Sequence, residues 1–193
     1  MTLFRTALAA IAGLCLLAVG AAPAWAAGFN GDISLGVNAK YYGANALGRP
    51  QMSLAYAKDL IFTEGVGANQ ADKLFADSRT LAASASENLD LAAVLSDPLG
   101  VTVTFVTVKA IIIKAAAANT NDVIVGGAGS NPFVGPFGGT TPTVAVRPGG
   151  ILMLVAPATG WTVNASTAHL LKVLNGGAGT GVTYDVIIVG TSS

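Results

Sequence analysis

From Met52 to the end of the chain, runs of alternating apolar and polar residues are broken by Gly, Pro, Asn or Asp about every ten positions. A period of two sends successive side chains to opposite faces of a strand. Turns this close together leave no room for the crossover helices that parallel strands need. The pattern predicts an all-β fold, an antiparallel β-sandwich of jelly-roll-like form over residues 52–193. Strands are expected at Ser53–Phe62, Arg79–Ala83, Glu87–Ala92, Val101–Lys114 and Asp122–Val125, then at Thr143–Val146, Ile151–Val155, Trp161–Val163, Leu170–Leu174 and Val182–Val189. The last is the clearest: Val182, Tyr184, Val186 and Ile188 share one face and belong in the core.

Two places disturb the alternation. In Val101–Lys114, Val101, Val103 and Phe105 share one phase, and Val106, Val108, Ala110 and Ile112 share the other. A bulge near Phe105–Val106, or a strand passing between two sheets, reconciles the phases. Around Leu74 and Phe75, residues Asn69–Ala76 read as one or two helical turns. The turns carry their own chemistry. Arg147-Pro148-Gly149-Gly150 suits a type II turn. Asn119–Asp122 reads as a tip between strands, and Asn175–Gly181 as a flexible loop. The Gly-rich stretch Gly126–Thr141, with Phe133 and Phe137 inside it, is long enough to be functional or mobile.

Ahead of the β region lie two other segments. Residues 1–27 have the form of a signal peptide, expected as a hydrophobic helix. Arg5 supplies the positive start, Ala7–Ala22 the apolar run, and Pro23 with Ala24-Trp25-Ala26 a processing site, with cleavage after Ala26 or Ala27. The apolar run is slightly short for the roughly 20 residues of a membrane-spanning helix. Lipidation at Cys15 is disfavoured by Leu14 before it. Export to the periplasm, medium or cell surface follows, with membrane contact only through an uncleaved leader. Residues 28–51 are Gly- and Asn-rich, with no sustained period of 2 or 3.6, and read as a flexible arm or linker carrying Tyr41 and Tyr42.

Composition narrows the function. Charged residues make up 10% of the chain against the roughly 25% usual for soluble domains, a surface weakly protected against self-association. That favours life within an assembly, as a homo-oligomer or beside other surface proteins. Net charge is zero and there is no basic patch, which argues against nucleic acid as a partner. The one cysteine is Cys15, so residues 28–193 have neither a disulfide nor a thiolate.

Chemistry-bearing motifs are sparse. Gly177-Ala178-Gly179-Thr180-Gly181 leads into a strand rather than a helix and lacks a following Lys-Ser/Thr, so it does not read as a phosphate loop. His169 is the only histidine, and no Gly-x-Ser-x-Gly elbow accompanies it. The carboxylates Asp59, Glu64, Asp72, Asp77, Glu87, Asp90, Asp97, Asp122 and Asp185 are scattered, and Asp77 is expected to pair with Arg79. Asn119–Asp122 is the nearest approach to a calcium loop, and Asn164-Ala165-Ser166 matches an N-glycosylation tripeptide. We expect no catalytic, cofactor-binding or metal-ligating residue. The candidate contact surface is Tyr41, Tyr42, Phe133, Phe137 and Trp161.

Several plain pieces carry a resemblance: Gly67-Ala68-Asn69-Gln70-Ala71-Asp72, Arg79–Ser84, Glu87–Leu91, Val108–Ile111, Val146–Gly150 and Val182–Ile187. Across residues 65–192 the chain resembles small virion structural proteins of tailed phages and prophages, of the head or decoration type. The resemblance implies a non-enzymatic virion component with other virion proteins as partners. The leader departs from that pattern, because a particle assembled in the cytoplasm does not need export. A secreted adhesin-like or carbohydrate-binding domain is the alternative, with a ligand groove in Gly126–Thr141 and Phe133, Phe137 and Trp161 exposed.

Overall fold

The structure is a computed structural model that describes residues 28–93 and 95–193. The expected leader helix lies outside the described residues. Among those described, all regular structure is strand. In chain order the strands are β1 (Gly31–Tyr42), β2 (Gln51–Glu64), β3 (Gln70–Ala71), β4 (Lys73–Leu81), β5 (Ser86–Asp90), β6 (Leu95–Ser96) and β7 (Thr102–Val103). They continue with β8 (Thr107–Ala115), β9 (Val123–Gly126), β10 (Thr143–Val146), β11 (Ile151–Val155), β12 (Trp161–Thr162), β13 (Leu170–Asn175) and β14 (Val182–Thr191).

Two antiparallel sheets form the body. One runs β11-β8-β14-β4, with β12 also paired to β8; the other runs β10-β9-β13-β5. Inward side chains of both sheets meet in one core. Phe75, Ile111, Ile113, Val186 and Ile188 come from the first sheet, and Leu89, Val123, Val125, Leu171 and Val173 from the second. The architecture is therefore sandwich-like. The expected inward set Val182, Tyr184, Val186 and Ile188 is fully buried. The turn at 147–150 forms as its residues require: Gly149 has φ +74° and the Gly150 amide donates to the Arg147 carbonyl at 2.7 Å.

Four expectations need correction. First, residues 28–51 are not a linker. Gly31–Tyr42 pairs along its whole length with Gln51–Phe62 to make a long hairpin that crosses the expected boundary at residue 52. Ile33, Leu35, Val37, Ala39 and Tyr41 do alternate, and the interleaved Gly and Asn residues obscured it. Second, Asn69–Ala76 is β3 and the start of β4 rather than a helix. Phe75 enters the main core while its neighbour Leu74 packs with a second cluster, Phe62, Ala71, Ala110 and Val189. Adjacent apolar residues that serve opposite faces mark a strand between two cores.

Third, Val101–Lys114 is two strands. β7 pairs with β6 in a small ribbon, and β8 enters the body. Fourth, the phase change within β8 falls at Lys109. Val189 pairs with Ala110 and Gly190 with Val108, which leaves Lys109 without an opposite number on β14. It is skipped on the other side too, where Val155 pairs with Ala110 and Trp161 with Val108. The extra residue reverses the parity: Val108, Ile111, Ile113 and Ala115 face the main core, and Ala110 and Ile112 do not. Glycine is obligatory at 190, because a Cβ there would lie 2.2 Å from the Thr107 carbonyl oxygen.

Candidate interaction surface

The hairpin is the most unusual surface of the molecule. Directly opposed residues of an antiparallel pair share a face. The register therefore collects Ile33–Leu60, Leu35–Lys58, Val37–Tyr56, Ala39–Leu54 and Tyr41–Met52 on one side. The other side carries Asp32–Ile61, Ser34–Asp59, Gly36–Ala57, Asn38–Ala55, Lys40–Ser53 and Tyr42–Gln51. One face is thus apolar apart from Lys58, and the other is largely polar or small. From Leu35 to Tyr42 and from Gln51 to Asp59 every residue is exposed. Among the described residues nothing covers either face of this stretch.

Its base is anchored. Ile33, Leu60 and Phe29 pack onto the second cluster beneath Phe62. The Phe29 amide donates to the Glu64 carboxylate, and the Ser34 hydroxyl donates to Asp59 at 2.8 Å. Near the tip the Arg49 guanidinium lies 5.3 Å from the Tyr42 ring centre. Lys109 braces the same end of the body. Its side chain is buried and its Nζ donates to the Ala158 carbonyl at 2.8 Å and to the Gly67 carbonyl at 3.3 Å. Burial pushes the Lys109 ammonium below its usual pKa.

The five residues singled out from sequence do not form one surface. Tyr41 and Tyr42 are both exposed but lie on opposite faces of the hairpin. Phe133 is 2% exposed and cannot be a contact residue. Its amide donates to the Leu170 carbonyl, and an isolated bridge joins Pro132 to Leu170, turning the ring into the core. Phe137 and Trp161 are half-buried and pack against that same core. Sequence reasoning overlooked Leu35, Val37, Met52, Leu54 and Tyr56, the centre of the apolar face. Their alternation was the available signal.

The carboxylates are engaged in the fold. Glu87 on β5 accepts the Tyr184 hydroxyl and an Arg79 N–H, each at 2.7 Å, so one carboxylate ties the two sheets together. Burial first, and then the hydrogen bond to Glu87, push the Tyr184 phenol above its usual pKa. Asp77 pairs with Arg79 as expected, at 3.1 Å. The Arg79 Nε–H is not aimed along that contact, which is an ion pair rather than a directed hydrogen bond. Asp72 accepts from the Ser192 amide, and Asp97 caps the amides of Leu99 and Val101. Asp90 accepts from the Ala92 amide. Among the described residues no three His, Cys, Asp or Glu side chains gather as a metal site would need.

The loops are also organised. Asn119 makes both backbone bonds to Thr183 through its side chain, at 2.9 Å each. Asn121 donates to the Asn175 side chain at 3.0 Å, and Asn175 donates to the Ala82 and Thr180 carbonyls. The Asn119–Asp122 tip thus fastens the Asn175–Gly181 loop. His169 sits just before β13 with Nδ1 3.3 Å from the Asn164 carbonyl. Asn164 is exposed, and its side chain accepts from the Ser166 and Thr167 amides.

Comparison with family models, with curated proteins and with solved structures finds no match for this chain.

Proposed function

We propose that the chain is a non-enzymatic structural subunit, a jelly-roll domain that holds its hairpin outward and works within a larger assembly on a virion head or tail surface. The strand order supports the jelly-roll reading. Leaving aside the short β12, the two main sheets hold eight strands: β4, β5, β8, β9, β10, β11, β13 and β14. Counted in that order, one sheet holds the sixth, third, eighth and first, and the other the fifth, fourth, seventh and second. That wiring belongs to jelly rolls, which serve in both viral capsids and lectins. Fold alone does not choose between those uses.

The observation that carries the assembly reading is the hairpin. An apolar face of Leu35, Val37, Tyr41, Met52, Leu54 and Tyr56 is built, registered and left uncovered by the described residues. Contiguous apolar faces of this kind mark contact sites. A charge content of 10% fits a molecule whose surface is largely covered in use. The test is location. Particles pelleted from an induced culture of the producing cell should contain the chain in stoichiometric amount, as read by mass spectrometry. Its absence from particles rejects the virion role.

A secreted adhesin-like or carbohydrate-binding domain is the second reading. It is favoured by the leader-like residues 1–27 and by a shallow cleft between residues 127–132 and 140–143. That reading expects the chain free in the medium or envelope, with glycan binding lost when Asn131 and Thr141 are replaced by alanine.

A further inference from the structure

We propose that the apolar face of the β1–β2 hairpin is a self-association surface, on which the same face of a second copy packs antiparallel about a two-fold axis. The proposal deepens the assembly reading and rests on it. A lone two-stranded hairpin is marginal in water, and this one has an apolar face with no cover among the described residues. The exposed portions are large: Tyr41 is 74% exposed, Met52 66% and Tyr56 51%. Fully covered, together with their neighbours on that face, they approach the ~800 Å² per partner of a standard stable interface. Two such faces are self-complementary by construction, as a two-fold contact requires.

Bulk sets the direction. The base of the hairpin is anchored on the body and its upper part is exposed. Antiparallel packing sets the two bodies at opposite ends of the paired hairpins, whereas parallel packing crowds both at one end. Lys58, the one charge on the apolar face, sits on β2, which has no second neighbour at that position among the described residues. Its ammonium can leave the interface over that free edge while its stem stays in contact.

The protein purified from its host, in the form that accumulates there, tests this. Light scattering on the eluting protein should report a dimer. Val37→Asp and Tyr56→Ser should each weaken it by roughly thirtyfold or more while circular dichroism and melting of the monomer stay unchanged. Residues 28–193 contain no cysteine, so single cysteines report geometry cleanly. Val37 lies beside the midpoint of the hairpin and meets its own copy, so Val37→Cys should cross-link on oxidation. Tyr41→Cys alone should not. A strict monomer at the highest attainable concentration overturns the proposal, as does binding of that monomer to anionic vesicles through Tyr56. A dimer indifferent to Val37→Asp and Tyr56→Ser overturns it too, and a trimer lost on Val37→Asp overturns the two-fold packing. The assembly reading fails separately: a chain absent from particles that still dimerises through Val37 sinks the virion role and leaves this surface standing.

Discussion

Strands β14 and β1 are built from the same alternation and meet opposite fates. In β14, Val182, Tyr184, Val186 and Ile188 are sealed beneath the facing sheet. In β1, Leu35, Val37 and Tyr41 repeat the pattern and remain in water. A period of two decides which side of a strand is apolar; it does not decide what covers that side. The cover of β14 is supplied by β5, β9 and β13 of the same chain, while the upper part of the hairpin has no facing layer among the described residues. An uncovered alternating strand is the feature on which the proposed contact rests.

This contrast can be broken by measurement. The largest effect is expected in the body. Ile188→Ala should cost about 3–4 kcal/mol in urea unfolding, because it opens a cavity among fully buried neighbours. Gly190→Ala comes next, at about 2–3 kcal/mol, since the new methyl group collides with the Thr107 carbonyl and the Phe105 ring. Tyr184→Phe should cost about 1–2 kcal/mol by removing the bond to Glu87 that links the sheets.

Tyr184 also gives the body a pH signature. Its folded pKa lies above the ordinary 10.0, so the native state keeps a proton that the unfolded chain releases. Stability is then complete below pH 10.0 and falls above it by up to ~1.4 kcal/mol per pH unit, a slope that Tyr184→Phe should abolish. Lys109 acts with the opposite sign. Its lowered pKa makes the unfolded state the better proton binder, so its contribution rises as pH climbs towards the ordinary 10.5. The smallest effect belongs to the hairpin: Val37→Ser in dilute monomer should change stability by less than about 0.5 kcal/mol. A cost there comparable with that of Ile188→Ala would mean that the face is already covered, and the contrast would collapse.

How much of this was legible in the sequence follows from how local each signal is. The core face of β14 and the turn at Arg147–Gly150 needed only neighbouring residues, and both were readable. The first hairpin strand was equally local, but Gly36, Asn38 and Gly43 made the segment resemble a linker. The bulge at Lys109 depends on how three strands align, so the phase change could be seen in sequence but not placed. Phe133 was misjudged for the same reason: its burial follows from a bridge to Leu170, far along the chain. The Arg79–Glu87–Tyr184 contact depends on two strand registers and a sheet-to-sheet approach, and no spacing in the sequence encodes it.

The fastening of Asn175 has a chemical consequence for the ageing of this protein. Asn175 is followed by Gly176, the dipeptide most open to spontaneous deamidation, in which the glycine nitrogen attacks the asparagine amide carbon. Here the Gly176 amide is committed to the Asp122 carbonyl at 2.9 Å, and the Asn175 amide is buried and bonded to Ala82 and Thr180. The native fold withholds the ring closure. Conversion of residue 175 to aspartate, followed by peptide mass mapping over weeks of storage, should therefore track the time each molecule has spent unfolded.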